Sequence, residues 1–151
     1  MKDIRTKMIN LLKVGSCTPQ ISSVAKTLKE ASSTIHYNIK RLEQGGSIVG
    51  YKAVFNYKKI DDGFCVFVLL NLSPDEYGDP ERIASDLSRH PQIESVDICT
   101  GDWEVVLKVR SKDQDAYYEF MKKVISRKGV VKIKSLTSLK QLKTEFVQTP
   151  V

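Results

Sequence analysis

The chain has 151 residues, 41% of them apolar and 28% charged, ordinary globular proportions that exclude wholesale disorder or a fibrous repeat. No apolar run approaches the roughly 18 residues of a spanning helix, and Met1-Lys2-Asp3 leads into amphipathic sequence rather than a signal-peptide core, so a soluble cytoplasmic protein is expected, with no membrane partner. Three scattered cysteines, Cys17, Cys65 and Cys99, make no disulfide framework, and with only His36 and His90 besides they show no zinc-ligand spacing; no metal and no cofactor are expected.

The net charge of +6 is unevenly spread. Residues 1–60 hold eleven Lys or Arg against three acids, whereas residues 61–151 hold thirteen against fifteen. A basic first half beside a slightly acidic second half is the asymmetry of a chain in which one part faces a polyanion.

In chain order, Ile4, Met8 and Leu11, widened by Ile9 and Leu12, predict an amphipathic helix over 3–14 that stops at Gly15. Thr18-Pro19 opens a second short helix on Ile21, Val24, Ala25 and Leu28. After Lys29-Glu30-Ala31, a third stripe of Ile35, Ile39 and Leu42 starts near Ser32-Ser33 and ends at Gly45-Gly46. Two short helices joined by a brief turn are what a helix-turn-helix requires.

With Ile35, Ile39 and Leu42 facing inward, the outward face carries Ser33, His36, Tyr37, Lys40 and Arg41. Hydroxyls and cations there suit phosphate, while Ser33, Thr34, His36 and Tyr37 near the helix start suit base edges, and Ser32 stands at the positive end of the helix dipole. Residues 47–54, β-prone around Gly50, predict a short hairpin or wing in which Lys52 meets the DNA backbone. A three-helix bundle whose polar face merely meets water is the alternative reading of the same pattern.

The second half opens with the continuous apolar run Phe64 to Leu72, read as a central strand. A polar connection over 74–80 precedes a short helix on Ile83, Ala84 and Leu87. Two strands, Ile93 to Thr100 and Glu104 to Val109, then pair around Gly101-Asp102. Asp113 begins a helix with Ala116, Tyr117, Phe120, Met121 and Val124 on one side, and Val130 to Leu142 closes the chain as a last strand or strand pair. The order β-α-β-β-α-β is ferredoxin-like. Its two helices cover one sheet face, so the other predicts a homodimer.

The string from Ser33 to Glu43, Ser-Thr-Ile-His-Tyr-Asn-Ile-Lys-Arg-Leu-Glu, followed by Gly46 to Tyr51, resembles the recognition helix and wing of the Lrp/AsnC (feast/famine) transcription regulators. Asn38 stands where that family usually has Arg, and Ser47 where it has an aliphatic. Thr100-Gly101-Asp102-Trp103-Glu104 is similar to the family's glycine turn, T-G-x-aromatic-D, with Glu104 in place of Asp. The resemblance spans about residues 3–143.

It implies an α+β protein with a winged helix-turn-helix domain and linker over 1–56 and a ferredoxin-like oligomerisation and effector domain over 57–151. It further implies a regulator that binds double-stranded DNA through Ser32, Ser33, Thr34, His36, Tyr37, Lys40, Arg41 and Lys52, assembled as a homodimer or octamer. An amino-acid effector is implied around Thr100, Gly101, Asp102, Trp103 and Glu104, with Ser135 and Thr137 of the last strand nearby. Backbone N–H groups of such a turn suit a carboxylate, and an acidic side chain suits an ammonium. The same five residues also read as a plain β-turn with a packing tryptophan. Two other functions stay open on this reading: a sirohaem-type tetrapyrrole decarboxylase built on the same domain pair, and a non-specific architectural DNA-binding protein. No nucleophile motif or P-loop supports an enzyme.

Overall fold

The computed structural model describes residues 3–76 and 79–148, so the polar connection read over 74–80 lies partly outside them. The chain divides into two compact units, Met1–Val54 and Phe55–Val151.

The first unit holds α1 (Arg5–Lys13), α2 (Ile21–Leu28) and α3 (Ser32–Gln44). Helix α2 stops because Lys29 turns left-handed at φ 56°, its N–H bonding Ala25 O, and three residues later α3 begins. This is the tight helix-turn-helix the spacing predicts. Ala25 and Ile35, both 6% exposed, form its small core.

Two expectations change here. On α1 the half-buried positions are Ile9, Leu12 and Lys13, while Ile4, Met8 and Leu11 are exposed, so the helix is rotated from the stripe its apolar residues suggest; Leu42 of α3 is exposed too. Residues 47–54 form no strand ladder. Their polar groups go instead to the helices: Ala53 N–H donates to Leu12 O at 3.3 Å, and Tyr51 OH donates to Glu43 Oε1 at 3.1 Å.

In the second unit, β1 (Phe64–Leu72), β2 (Ile93–Ile98), β3 (Val105–Ser111) and β4 (Val130–Thr137) make an antiparallel sheet of order β2-β3-β1-β4. Helices α4 (Pro80–Leu87) and α5 (Gln114–Phe120) complete the ferredoxin-like β-α-β-β-α-β sequence. Strand β1 is central, as its apolar run predicts. Val66, Val68 and Leu70 pair in register with Val109, Leu107 and Val105, and all six are fully buried with Ile83, Leu87, Tyr117 and Phe120 of the helices.

Asp79 caps α4, accepting from Arg82 N–H, and Asp113 caps α5, accepting from Ala116 N–H at 2.8 Å. Beyond Phe120 the helix widens into a π-turn over Met121–Ile125, closed by Ser126 N–H to Met121 O at 2.8 Å. The extra residue per turn brings Ile125 to full burial, where the helical period predicts Val124, and Ala116 is exposed.

The opposite sheet face carries Phe67, Leu69, Asn71, Val106, Lys108 and Arg110, which alternate with the core residues. At one end it meets Tyr57, of the short 3-10 turn Tyr57–Ile60, and the segment after β4, which bends back as the hairpin β5 (Lys143–Thr144) and β6 (Val147–Gln148). Phe67 and Leu136 stay exposed.

Candidate nucleic-acid interface and effector turn

Burial of Ile35 and half-burial of Ile39 fix the rotation of α3. Ser32, Ser33, Thr34, His36, Tyr37, Lys40 and Arg41 are thereby all exposed, and Lys52 is exposed after the helix. The Arg41 guanidinium carbon lies 5.8 Å from the Tyr37 ring centroid, a cation–π contact one turn apart. Lys40 Nζ pairs with Glu43 Oε2 at 3.2 Å. Bonds from Lys40 and Tyr51 hold the Glu43 carboxyl below its ordinary value. Asn38 turns back on its own helix, its Nδ2 donating to Thr34 O at 2.8 Å.

The start of α3 is electrostatically bare. Ala31 occupies the cap position, no side chain caps the first N–H groups, and the first turn holds no acid. Helices α1 and α2 of the same unit are likewise uncapped and acid-free, whereas α4 and α5 carry Asp79 and Glu81 on one and Asp113 and Asp115 on the other. An uncapped helix start presents free N–H donors and a positive dipole end, both suited to an oxyanion.

The second cluster is the turn between β2 and β3. Gly101 sits at φ +102°, a conformation other L residues rarely adopt, and Cys99 N–H closes the turn on Glu104 O at 2.9 Å. Thr100, Gly101 and Asp102 are exposed, while Trp103 and Glu104 are half-buried. The Glu104 carboxylate is turned inward, accepting from Leu72 N–H at 3.0 Å and from Asn71 Nδ2 at 3.3 Å. Burial pushes this carboxyl up, but those bonds outweigh it and hold it below its ordinary value. Asn71 also donates to Asp102 O. Lys132 Nζ lies 5.7 Å from the Trp103 ring centroid.

The turn therefore gathers Thr100 to Glu104 with Asn71 and Lys132, two residues that pattern reading missed. A polar Asn71 at the end of an otherwise apolar strand was the available signal. Ser135 and Thr137 are not brought to the turn in this chain: they lie further along β4 opposite Val68 and Val66, on the helix side, where Ser135 Oγ bonds Tyr117 OH.

A tight turn between α2 and an exposed basic α3, followed by a ferredoxin-like unit, is the arrangement of a helix-turn-helix unit joined to an α/β unit. The family described as the Lrp/AsnC ligand binding domain matches residues 65–147. The HTH-type transcriptional regulator FL11 of Pyrococcus furiosus is 32% identical over all 151 residues, which span 97% of that protein. The FL11 regulator of Pyrococcus horikoshii is 27% identical, also over the whole chain and 97% of its own length. Among solved structures, an AsnC family transcriptional regulator from Agrobacterium tumefaciens has the same fold with a TM-score of 0.73 at 22% identity, covering 100% of this chain and 96% of that one. A Neisseria meningitidis transcriptional regulator solved as its L-Met complex superposes with a TM-score of 0.72 at 19% identity, covering 95% and 93%. The chain belongs to the Lrp/AsnC family of transcription regulators.

Proposed function

We propose that this regulator recognises a specific duplex operator through residues 1–56, with α3 in the major groove, and responds to an amino acid held at the 100–104 turn of residues 57–151. It acts in the cytoplasm as a homodimer or a larger assembly and catalyses no reaction. Among the described residues no helix is long and apolar enough to cross a membrane. The observation that carries the DNA reading is the exposed face of α3 with Ser33, His36, Tyr37, Lys40 and Arg41, on a helix whose start holds no acid. Every first-turn group there either donates to phosphate oxygens or leaves them unopposed.

The effector reading rests on the exposed Gly101-Asp102 pair, with a left-handed glycine that opens backbone donors to a carboxylate and an acid that meets an ammonium. A structural relative's complex with L-Met agrees with that class of ligand. Exposed Phe67 and Leu136 on the helix-free sheet face support self-association.

Fluorescence anisotropy with genomic fragments, across a salt series, tests the proposal. Specific fragments bind far more tightly than random duplex, with a log–log salt slope of about −0.9 per phosphate contact. Lys40→Ala and Lys52→Ala each reduce the slope by about one unit. Equal affinity for all duplexes would instead assign an architectural role, and an unchanged slope in both variants would remove α3 from the interface.

A further inference from the structure

On the helix side of the second unit, a groove of about 800 Å³ runs between α4 and the turn that enters β4. Arg82, Arg89, Arg127 and Lys128 line it, with Glu76 and Asp86 as the acids. The cations exceed the acids by two, although residues 61–151 as a whole hold more acids than cations.

The choice of cation is selective. The chain has 18 lysines and only 6 arginines, yet among the described residues three arginines line this groove and only one lysine does. Lysine suffices for a solvated basic surface. Arginine adds a rigid planar fork of donors that matches phosphate and carboxylate oxygens in pairs.

The acids organise the forks rather than cancel the site. Glu76 Oε1 accepts from Arg82 Nη2, and Asp86 Oδ2 accepts from Arg127 Nη1. Each guanidinium has five N–H donors, so one bond orients it and leaves most donors for the groove. Arg89 and Lys128 make no ion pair among the described residues, although each lies near enough to an acid of the groove, Asp86 and Glu76 respectively, to help lower its carboxyl. Two lining residues pack against a bare backbone: Gly129 sits at φ +94°, and a Cβ there would come within 2.8 Å of Ile83 Cδ1 and 3.1 Å of Glu76 Cγ.

We propose that this groove is a second ligand site, separate from the 100–104 turn, which takes a small phosphate-bearing anion carrying at least two negative charges. A zwitterionic amino acid brings no net charge to offset the excess of cations. A duplex presents its phosphates in long rows, whereas these four cations ring a single concavity. The inference does not depend on how α3 meets DNA.

Calorimetric titration of the full chain with pyrophosphate tests it, at about 0.15 M salt, where charges more than about 8 Å apart are screened. Saturable binding at one site per chain is expected. Arg89→Ala and Lys128→Ala, both exposed and outside the ion pairs, each weaken it by about tenfold or more, the effect of losing one charge-assisted hydrogen bond. Arg82→Lys keeps the charge but also weakens binding, because the fork is lost. Asp102→Asn leaves pyrophosphate binding unchanged. Absence of saturable binding, undiminished affinity in Arg89→Ala and Lys128→Ala, or displacement of pyrophosphate by short duplex DNA would each overturn the assignment.

Discussion

Arg110 lies over Tyr57, its guanidinium carbon 3.6 Å from the ring centroid, although Arg110 belongs to β3 and Tyr57 to the segment that leads into the sheet. The same guanidinium donates to Gln141 Oε1 at 3.1 Å and Thr144 Oγ1 at 3.2 Å, in the segment after β4. Glu94 of β2 neutralises it and also accepts from Lys108 at 2.8 Å. One buried cation thus ties the entry and the exit of this unit to its helix-free face.

Removing that cation should be expensive. Arg110→Met leaves Glu94, whose side chain is 14% exposed, with Lys108 as its one remaining ion-pair partner, strips Gln141 Oε1 of its donor, and leaves Thr144 Oγ1 with Lys108 Nζ alone at 3.3 Å. Losing hydrogen bonds to a charged group while Lys108 still offsets Glu94 should destabilise by about 1.5–3 kcal/mol. Thermal unfolding should show it. The pair also predicts a pH dependence: burial pushes the Glu94 carboxyl up, but Lys108 and Arg110 together outweigh it and hold the group below its ordinary 4.5. A lowered folded value means that this contribution is present above pH 4.5 and is lost as pH falls through the folded value. Glu94→Gln should flatten the acid limb of the stability curve; an acid limb as steep as the parent's would remove Glu94 from this role.

Ser33→Asp should separate stability from function. An acid in the first turn of α3 supplies what the helix lacks and favours the fold by about 0.5 kcal/mol through the dipole. The same charge stands where an operator phosphate would come. The melting temperature should therefore hold or rise while DNA affinity falls by about tenfold or more, since a cation-driven interface tolerates little added negative charge. Loss of stability together with affinity would point to a packing role for Ser33 instead.

The sheet was legible because its chemistry is repetitive. Val66, Val68, Leu70 and Leu72 alternate on a run apolar on both faces, which a central strand demands, and Gly101 marks the β2–β3 turn by its left-handed backbone. The π-turn was not legible. Val124 and Ile125 are equally apolar, so nothing in composition says that Ile125 takes the place that a 3.6-residue period gives Val124. The hairpin expected over 47–54 failed for a related reason: β-prone residues need a partner strand, and here Tyr51 and Ala53 find α3 and α1 first. On α3, burial of Ile35 sufficed to locate the exposed face, but the inward turn of Glu104 depends on Leu72 N–H and Asn71, contacts remote in sequence.

If Lys40 meets a phosphate as proposed, Glu43 competes with DNA for it. In the free chain Lys40 Nζ lies 3.2 Å from Glu43 Oε2, an exposed pair worth little to stability. Glu43→Gln keeps an acceptor for Tyr51 OH and removes the charge that a phosphate must displace. Affinity for duplex DNA should rise roughly two- to threefold, the scale of a surface pair of this kind. Anisotropy at low salt would check it, and a fall in affinity would mean that Glu43 serves the interface by placing Tyr51.

Two acids in the β2–β3 turn should separate in their effects. Glu104→Ala leaves the N–H of buried Leu72 without its acceptor and the Asn71 amide with Asp102 O alone, so the unit should lose about 1–3 kcal/mol, the cost of an orphaned donor. Asp102 is exposed, and its backbone oxygen, not its carboxylate, receives the Asn71 bond. Asp102→Asn should therefore leave the unfolding free energy within about 0.5 kcal/mol of the parent's, as surface substitutions do. If its carboxylate meets the ammonium of an amino-acid effector, the same variant loses the thermal shift that the effector gives the parent chain. Screening the twenty amino acids by thermal shift on both variants decides between the two acids. A shift that survives Asp102→Asn and vanishes in Asn71→Ala would place the effector against the Asn71 and Lys132 side of the turn.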